Sequence, residues 1–149
     1  MQRTIWNLVL ILATALLLVA SANSISPPVN AADPVANVPQ ADNLPLVVFI
    51  HSRECPICAK VRPIVDDLES TYKDKAHFVR LDVTGEKDKD QSRKMAKAMQ
   101  LGSFFALYED TFPCVGIFNN KKKCVKELFG NNTKEKYTSF LDKAIQQSN

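Results

Sequence analysis

Residues 46–72 read LVVFIHSRECPICAKVRPIVDDLESTY, and this stretch contains the clearest indications of the fold. Its first part, residues 46–50, is a continuous apolar run bounded by polar residues, which predicts a buried central strand. From residue 57 to residue 72 the apolar positions recur every three or four residues, which predicts an amphipathic helix. Pro56 suits the first turn of that helix, and Pro63 inside the pattern predicts a kink.

The rest of the folded part predicts an α/β domain. Strand patterns cover residues 78–83, 115–118 and 124–129. A helix is predicted over residues 86–101 with Gly102 at its end, and a last helix is predicted to begin at Asn132 with Glu135 three residues on. The order is βαβ, helix, ββα. We therefore expect a small mixed sheet with helices on both faces, and a right-handed crossover between the first two strands.

The N-terminal part differs in composition. Residues 1–22 carry Arg3 and then an almost unbroken apolar run, which predicts a secretory signal peptide or an uncleaved membrane anchor. Small residues suit cleavage near residue 22, or as late as residue 31. Residues 23–43 are rich in Pro, Ala and Asn and predict a flexible arm, so the folded domain is residues 44–149. We expect an exported domain, in a periplasm, an organelle or thylakoid lumen, or outside the cell.

Cys55 and Cys58 fall at the predicted junction of the first strand and the first helix. Two intervening residues in a first helical turn bring the two sulfurs within disulfide reach. Cys55 would lie at the helix N-terminus, where free N–H groups and the helix dipole favour a thiolate, the species that attacks a disulfide. Cys58, one turn along and more buried, would then attack the resulting mixed disulfide and release the product.

The strand–CxxC–helix arrangement resembles the thioredoxin superfamily, over roughly residues 44 to 147. Pro63 lies where that family kinks its active-site helix, and Gly130 lies where it has a glycine before its last helix. Pro113 stands where the family has a cis-proline. The resemblance implies a thioredoxin-like three-layer sandwich, a cis Phe112–Pro113 bond facing the CxxC, and substrate binding along that backbone.

Three departures from the family pattern qualify the resemblance. Glu54 stands where thioredoxins have Trp, and the dipeptide between the cysteines is Pro-Ile. Phe49 occupies the position of the family's buried Asp, so another base or water must accept the proton. The stretch from residue 101 to residue 113 is longer than in thioredoxins and rich in aromatics. It predicts either a partner-specific surface or a locally packed insertion.

Cys114 and Cys124 form a second pair across the predicted hairpin. In an exported protein with an even number of cysteines we expect a structural Cys114–Cys124 disulfide. The alternative is a relay in which Cys114 passes electrons between the CxxC and Cys124. For His51, at the end of the first strand, a packed side chain is expected, with proton donation as the alternative.

The sequence predicts a monomeric thiol–disulfide oxidoreductase that acts on protein thiols and disulfides and needs a redox partner protein, with Cys55 and Cys58 as its site. No cofactor and no metal are expected. The formal net charge is +3 and there is no basic stripe among aromatics, so no nucleic-acid partner is expected. Two alternatives stay open: a metal-binding or metallochaperone module using the four thiols, and a non-catalytic binding domain.

Overall fold

A computed structural model describes residues 43–149 of the chain. The predicted leader, residues 1–22, lies outside this part, and so does nearly all of the predicted arm, residues 23–43. Between residues 43 and 149 no helix is long and apolar enough to cross a membrane.

The described part is an α/β structure built on one mixed four-stranded sheet. Its strands are β1 (Leu46–His51), β2 (His77–Asp82), β3 (Cys114–Phe118) and β4 (Cys124–Phe129). The strand order is β2-β1-β3-β4, with β1 and β2 parallel and the other two pairings antiparallel. All six residues of β1 are buried, as expected for a central strand covered on both faces.

Between residues 43 and 149, four helices pack on this sheet, two on each face. They are α1 (Pro56–Thr71), α2 (Glu86–Ala98), α3 (Gly102–Tyr108) and α4 (Lys134–Gln146). One core lies between the sheet and α2 with α3, and it includes Val48, Ile50 and Phe105. The other core lies between the sheet and α1 with α4, and it includes Phe49 and Tyr137. The successive residues of β1 alternate between the two cores, so every side chain of this strand is used in packing.

The expected strands and helices occur in the expected order, the short helix α3 was not predicted, and two boundaries are corrected. Helix α2 ends at Ala98, because the left-handed conformation of Gln100 (φ 63°) breaks the chain direction before Gly102 is reached. Gly102 begins α3 instead. The cap of α4 is Thr133, not Asn132, whose amide nitrogen donates to the carbonyl of Phe129 at 2.8 Å.

The aromatic stretch after α2 forms the short helix α3 and packs locally. Phe105 is fully buried, and Phe104 lies edge-to-face with Tyr108 and with Phe118 of β3. Only Leu107 of this helix is a large apolar side chain left mostly in solvent, at 68% exposure. The stretch is therefore chiefly part of the core, which fits the packed-insertion alternative.

Candidate active site

The β1–α1 junction places Cys55 at the start of a helix. Cys55 has extended backbone angles (φ −85°, ψ 116°) and is the N-cap of α1. Its Sγ accepts a hydrogen bond from the backbone N–H of Cys58 at 3.2 Å. The sulfur thus takes the place that a Ser or Asp oxygen usually has in a helix cap, next to free N–H groups that stabilise negative charge.

Cys58 lies behind Cys55 and is fully buried, whereas Cys55 is only half-buried. Burial, together with a hydrogen bond to the Cys55 side chain, raises the pKa of the Cys58 thiol to about 11. The backbone N–H of Ser52 acts in the other direction, because it hydrogen-bonds the same sulfur and lowers the pKa of Cys58. The site therefore holds one accessible sulfur and one protected sulfur that contact each other.

Ion pairs anchor the segment that leads into Cys55. The Arg53 guanidinium contacts Asp82 at 3.2 Å and Asp88 at 2.5 Å, and its backbone N–H donates to Thr84 Oγ1 at 2.8 Å. Burial alone would raise the pKa of Asp82, but hydrogen bonds from Thr84 together with nearby positive charge, such as that of Arg53, outweigh burial and hold the pKa below its usual range. The charge of Arg53 is thus paired with two carboxylates, one at the end of β2 and one in α2.

The Phe112–Pro113 peptide bond is cis, as the resemblance implied. The next residue, Cys114, pairs with Ile50 near the end of β1, so this bond lies at the same end of the sheet as the β1–α1 junction. Phe112 is 38% exposed, and Ile57 of α1 is 48% exposed. Two large apolar side chains are therefore accessible at this end of the sheet.

The register of the hairpin does not bring Cys114 and Cys124 together. Cys114 faces Phe129, whereas Cys124 faces Phe118 at the other end of β3. Four residues of strand separate the two positions by about 13 Å, well beyond the roughly 7 Å limit for a disulfide. Both are free thiols in this structure, and the expected direct disulfide would need the strands to move.

The alternative of an electron relay through Cys114 also meets an obstacle. Cys114 belongs to the core on the α2–α3 side of the sheet, while α1 packs on the opposite side. Burial raises the pKa of Cys114 to about 12, and the pKa of Cys124 is raised to about 12 by burial and by a hydrogen bond to Glu127. Two protonated thiols separated from the CxxC by a sheet are poorly placed to exchange electrons with it.

His51 fits the packed interpretation. It is buried, and its ring stacks on Phe49 with centroids 4.8 Å apart. Burial is the main cause that lowers the pKa of His51, so the imidazole is neutral near pH 7. Its Nδ1 is buried and has no hydrogen-bond partner in the described part of the chain.

Two groups beside Cys58 were missed by the sequence analysis. They are the backbone N–H of Ser52 and the side chain of Arg62, whose charge also lowers the pKa of Cys58. The position of Arg62, four residues after Cys58 on an amphipathic helix, could have revealed it, because residues at that spacing share a helix face. No sequence pattern marks a backbone N–H.

A cluster able to bind a metal is not found in the part of the chain that the structure covers. Over residues 43–149, no three or more His, Cys, Asp or Glu side chains converge on one point. The alternative of a four-thiolate metal module therefore gains no support from the geometry.

No protein-family model matches the chain, and no match was found among curated proteins. The chemistry assigned to the site therefore depends on the geometry of the β1–α1 junction and on the sequence motifs.

Proposed function

We propose that this chain is an exported, thioredoxin-like thiol–disulfide oxidoreductase that acts on protein substrates through Cys55 and Cys58. The observation that carries the proposal is the contact between an accessible sulfur at the N-terminus of α1 and a buried sulfur one turn along. That arrangement separates the two roles that thiol–disulfide exchange requires.

In the reducing direction the reaction has two steps. The Cys55 thiolate attacks one sulfur of a substrate disulfide, and the other substrate sulfur leaves with the electron pair and takes up a proton. Cys58 then loses its proton and attacks Cys55 Sγ, which releases the second substrate sulfur as a thiol. Two electrons have passed from the dithiol to the substrate, and a Cys55–Cys58 disulfide remains. In the oxidising direction the same steps run backwards, and in both directions a redox partner restores the starting state.

The burial of Cys58 supports its role as the resolving thiol. Because the pKa of Cys58 is raised to about 11, this sulfur stays protonated and unreactive toward substrates in solution near pH 7. It becomes a nucleophile only toward the sulfur that it already touches, that of Cys55.

Features around the junction support the thioredoxin-like assignment. The parallel β1–α1–β2 unit is followed by an antiparallel β3–β4 hairpin and a last helix. Pro113 with its cis bond precedes β3, and Gly130, in the left-handed conformation at φ 68°, follows β4. We propose Phe112 and the backbone at Pro113 as the substrate-binding surface, since they lie at the same end of the sheet as Cys55.

Trapping tests the enzymatic proposal directly. In a Cys58→Ser chain, Cys55 should remain linked to its substrate as a mixed disulfide that reductant releases, visible on non-reducing gels of exported proteins. The matched Cys55→Ser chain should form none. A Cys58→Ser chain without adducts, or equal adducts from the Cys55→Ser chain, would contradict the proposal.

The direction of electron flow follows from the reduction potential of the Cys55–Cys58 couple. Equilibration with glutathione or dithiothreitol buffers, read out by alkylation and mass, measures it. A reduction potential close to that of thioredoxin, about −270 mV, would assign a reductase. A potential at the oxidising end of the range, about −120 mV, would assign an oxidase.

A further inference from the structure

Arg62 carries an uncompensated charge close to Cys58. It follows Cys58 by four residues on α1, so the two side chains share a helix face. Its Nη2 is buried and has no hydrogen-bond partner, and Arg62 makes no ion pair with any residue from 43 to 149. A buried guanidinium N–H without a partner costs free energy, and such groups in native structures call for an explanation.

The other arginines near this end of the sheet are already paired. Arg53 contacts two carboxylates, as described above, and Arg80 contacts Asp66 at 2.8 Å and Glu69 at 2.6 Å. Arg62 is therefore the arginine of this group that makes no ion pair within the described residues.

The charge of Arg62 lowers the pKa values of Cys58 and of His51. At Cys58 it acts against the larger effect of burial, which raises the pKa. The pKa of His51 is lowered first by burial and then by Arg62, Arg80 and Arg53, with Asp82 opposing them. His51 is consequently neutral near pH 7, so it adds no second positive charge beside Arg62. The strongest charged neighbours of Cys58 are then Cys55 and Arg62.

We propose that Arg62 is the counter-charge for the Cys58 thiolate during the resolving step. The inference rests on the proposed function and adds a positioning residue to it, because Arg62 acts through Cys58 and not on the substrate. While Cys55 is bound to substrate it no longer carries a thiolate, so the anion next to Arg62 is Cys58 alone.

The chemistry of the step is balanced without any further reactant. Cys58 gives its proton to water, its thiolate attacks Cys55 Sγ, and the bond between Cys55 and the substrate sulfur breaks. The substrate sulfur leaves with the electron pair. Arg62 stabilises the anion that exists between proton loss and attack, and it undergoes no chemical change.

A two-phase reaction with the aromatic disulfide DTNB tests this proposal in the full-length chain. The first thionitrobenzoate is released when Cys55 attacks, at a rate proportional to the DTNB concentration. The second is released when Cys58 attacks Cys55, at a rate independent of that concentration. Both releases absorb at the same wavelength, so raising the DTNB concentration separates the phases in a stopped-flow trace. A Cys124→Ser background removes the reaction of the half-buried Cys124.

The decisive variant is Arg62→Met, which keeps the bulk of the side chain and removes the charge. We expect the concentration-independent phase to slow about 3- to 4-fold at every pH from 6 to 8: roughly one unit in the pKa of Cys58 lowers its thiolate fraction about 10-fold, and the greater nucleophilicity of the more basic thiolate restores part of that loss. The rate of the concentration-dependent phase should change by less than about twofold, because a charge beside Cys58 acts chiefly on the ionisation of Cys58. Arg62→Lys should restore most of the rate. Lys60→Met, which removes an exposed charge from the same helix, should leave both phases unchanged.

A second measurement covers the case in which the two phases overlap. In a Cys55→Ser chain, the NMR signal of the Cys58 β-carbon reports the ionisation of Cys58, and Arg62→Met should move its midpoint to higher pH. An unchanged midpoint, an unchanged second phase, or equal slowing of both phases would overturn the role of Arg62. The absence of any reaction at Cys55 would instead overturn the proposed function.

Discussion

Gly116→Ala is the substitution whose effect the packing defines most sharply. Gly116 lies in the middle of β3, on the face covered by α3. A Cβ built there would lie 2.5 Å from Phe104 Cζ and 2.8 Å from Phe118 Cε2. The backbone of Gly116 is not in the left-handed region, so the substitution tests side-chain space and not backbone strain.

The sign of the effect distinguishes crowding from ordinary strand propensity. Without a clash, Ala in a strand interior should stabilise by roughly 0.5–1 kcal/mol relative to Gly. Overpacking a filled core costs about 1–3 kcal/mol. Both contacts here are nearly 1 Å shorter than normal carbon–carbon contacts, and Phe104 is held by Tyr108 and Phe118, so it has little room to retreat. We expect a net destabilisation of about 2 kcal/mol.

Urea unfolding of the reduced protein measures this difference. The midpoint should fall by about 1–2 M with an unchanged slope. Gly102→Ala is the matched control, since its Cβ would meet nothing closer than 3.7 Å, and it should not lower the midpoint. Phe104→Leu should recover part of the loss in the Gly116→Ala background. A Gly116→Ala protein as stable as wild type would refute the packing of α3 on β3.

Three further predictions test other parts of the structure. Because burial lowers the pKa of His51 from its ordinary value of 6.5, the unfolded chain binds a proton that the folded chain does not. Stability should therefore fall as pH drops below about 6.5, and His51→Gln should flatten that slope in urea titrations; an equally steep slope would contradict it. After air oxidation, alkylation in denaturant should modify both Cys124 and Cys114, which is fully buried in the folded protein, and a peptide linking them by disulfide would contradict the register. Phe105→Ala should cost about 3–5 kcal/mol, whereas Leu107→Ala, on the exposed side of α3, should stay within about 0.5 kcal/mol; equal losses would exclude the observed orientation of that helix.

Local patterns were sufficient for every element of the fold except the short helix α3. The apolar run of β1, the three-and-four spacing of α1 and the alternation in β2 each depend on which face of one element is buried, so the sequence predicts them directly. The position of Cys55 at a helix start followed from the same patterns. Helix boundaries were less secure, because the end of α2 is decided by the left-handed Gln100 and not by Gly102.

Contacts between distant segments could not be read from local patterns. Nothing in the sequence sets the register that places Cys114 opposite Phe129, since sliding one strand by two residues keeps the same alternation of faces. The sequence also did not show that Phe104 packs over Gly116, because the pattern did not predict α3, the helix that carries Phe104.

The sequence alone was sufficient to place Cys55 and Cys58 at the start of a helix, because helix capping and the spacing of a CxxC motif depend on only a few consecutive residues. The packing of distant segments was needed to show that Cys58 is fully buried, that the second cysteine pair is split along a hairpin, and that Arg62 forms no ion pair with a carboxylate between residues 43 and 149. The physical reason is that burial and electrostatic pairing depend on which surfaces meet across the sheet, and those surfaces belong to residues far apart in the chain.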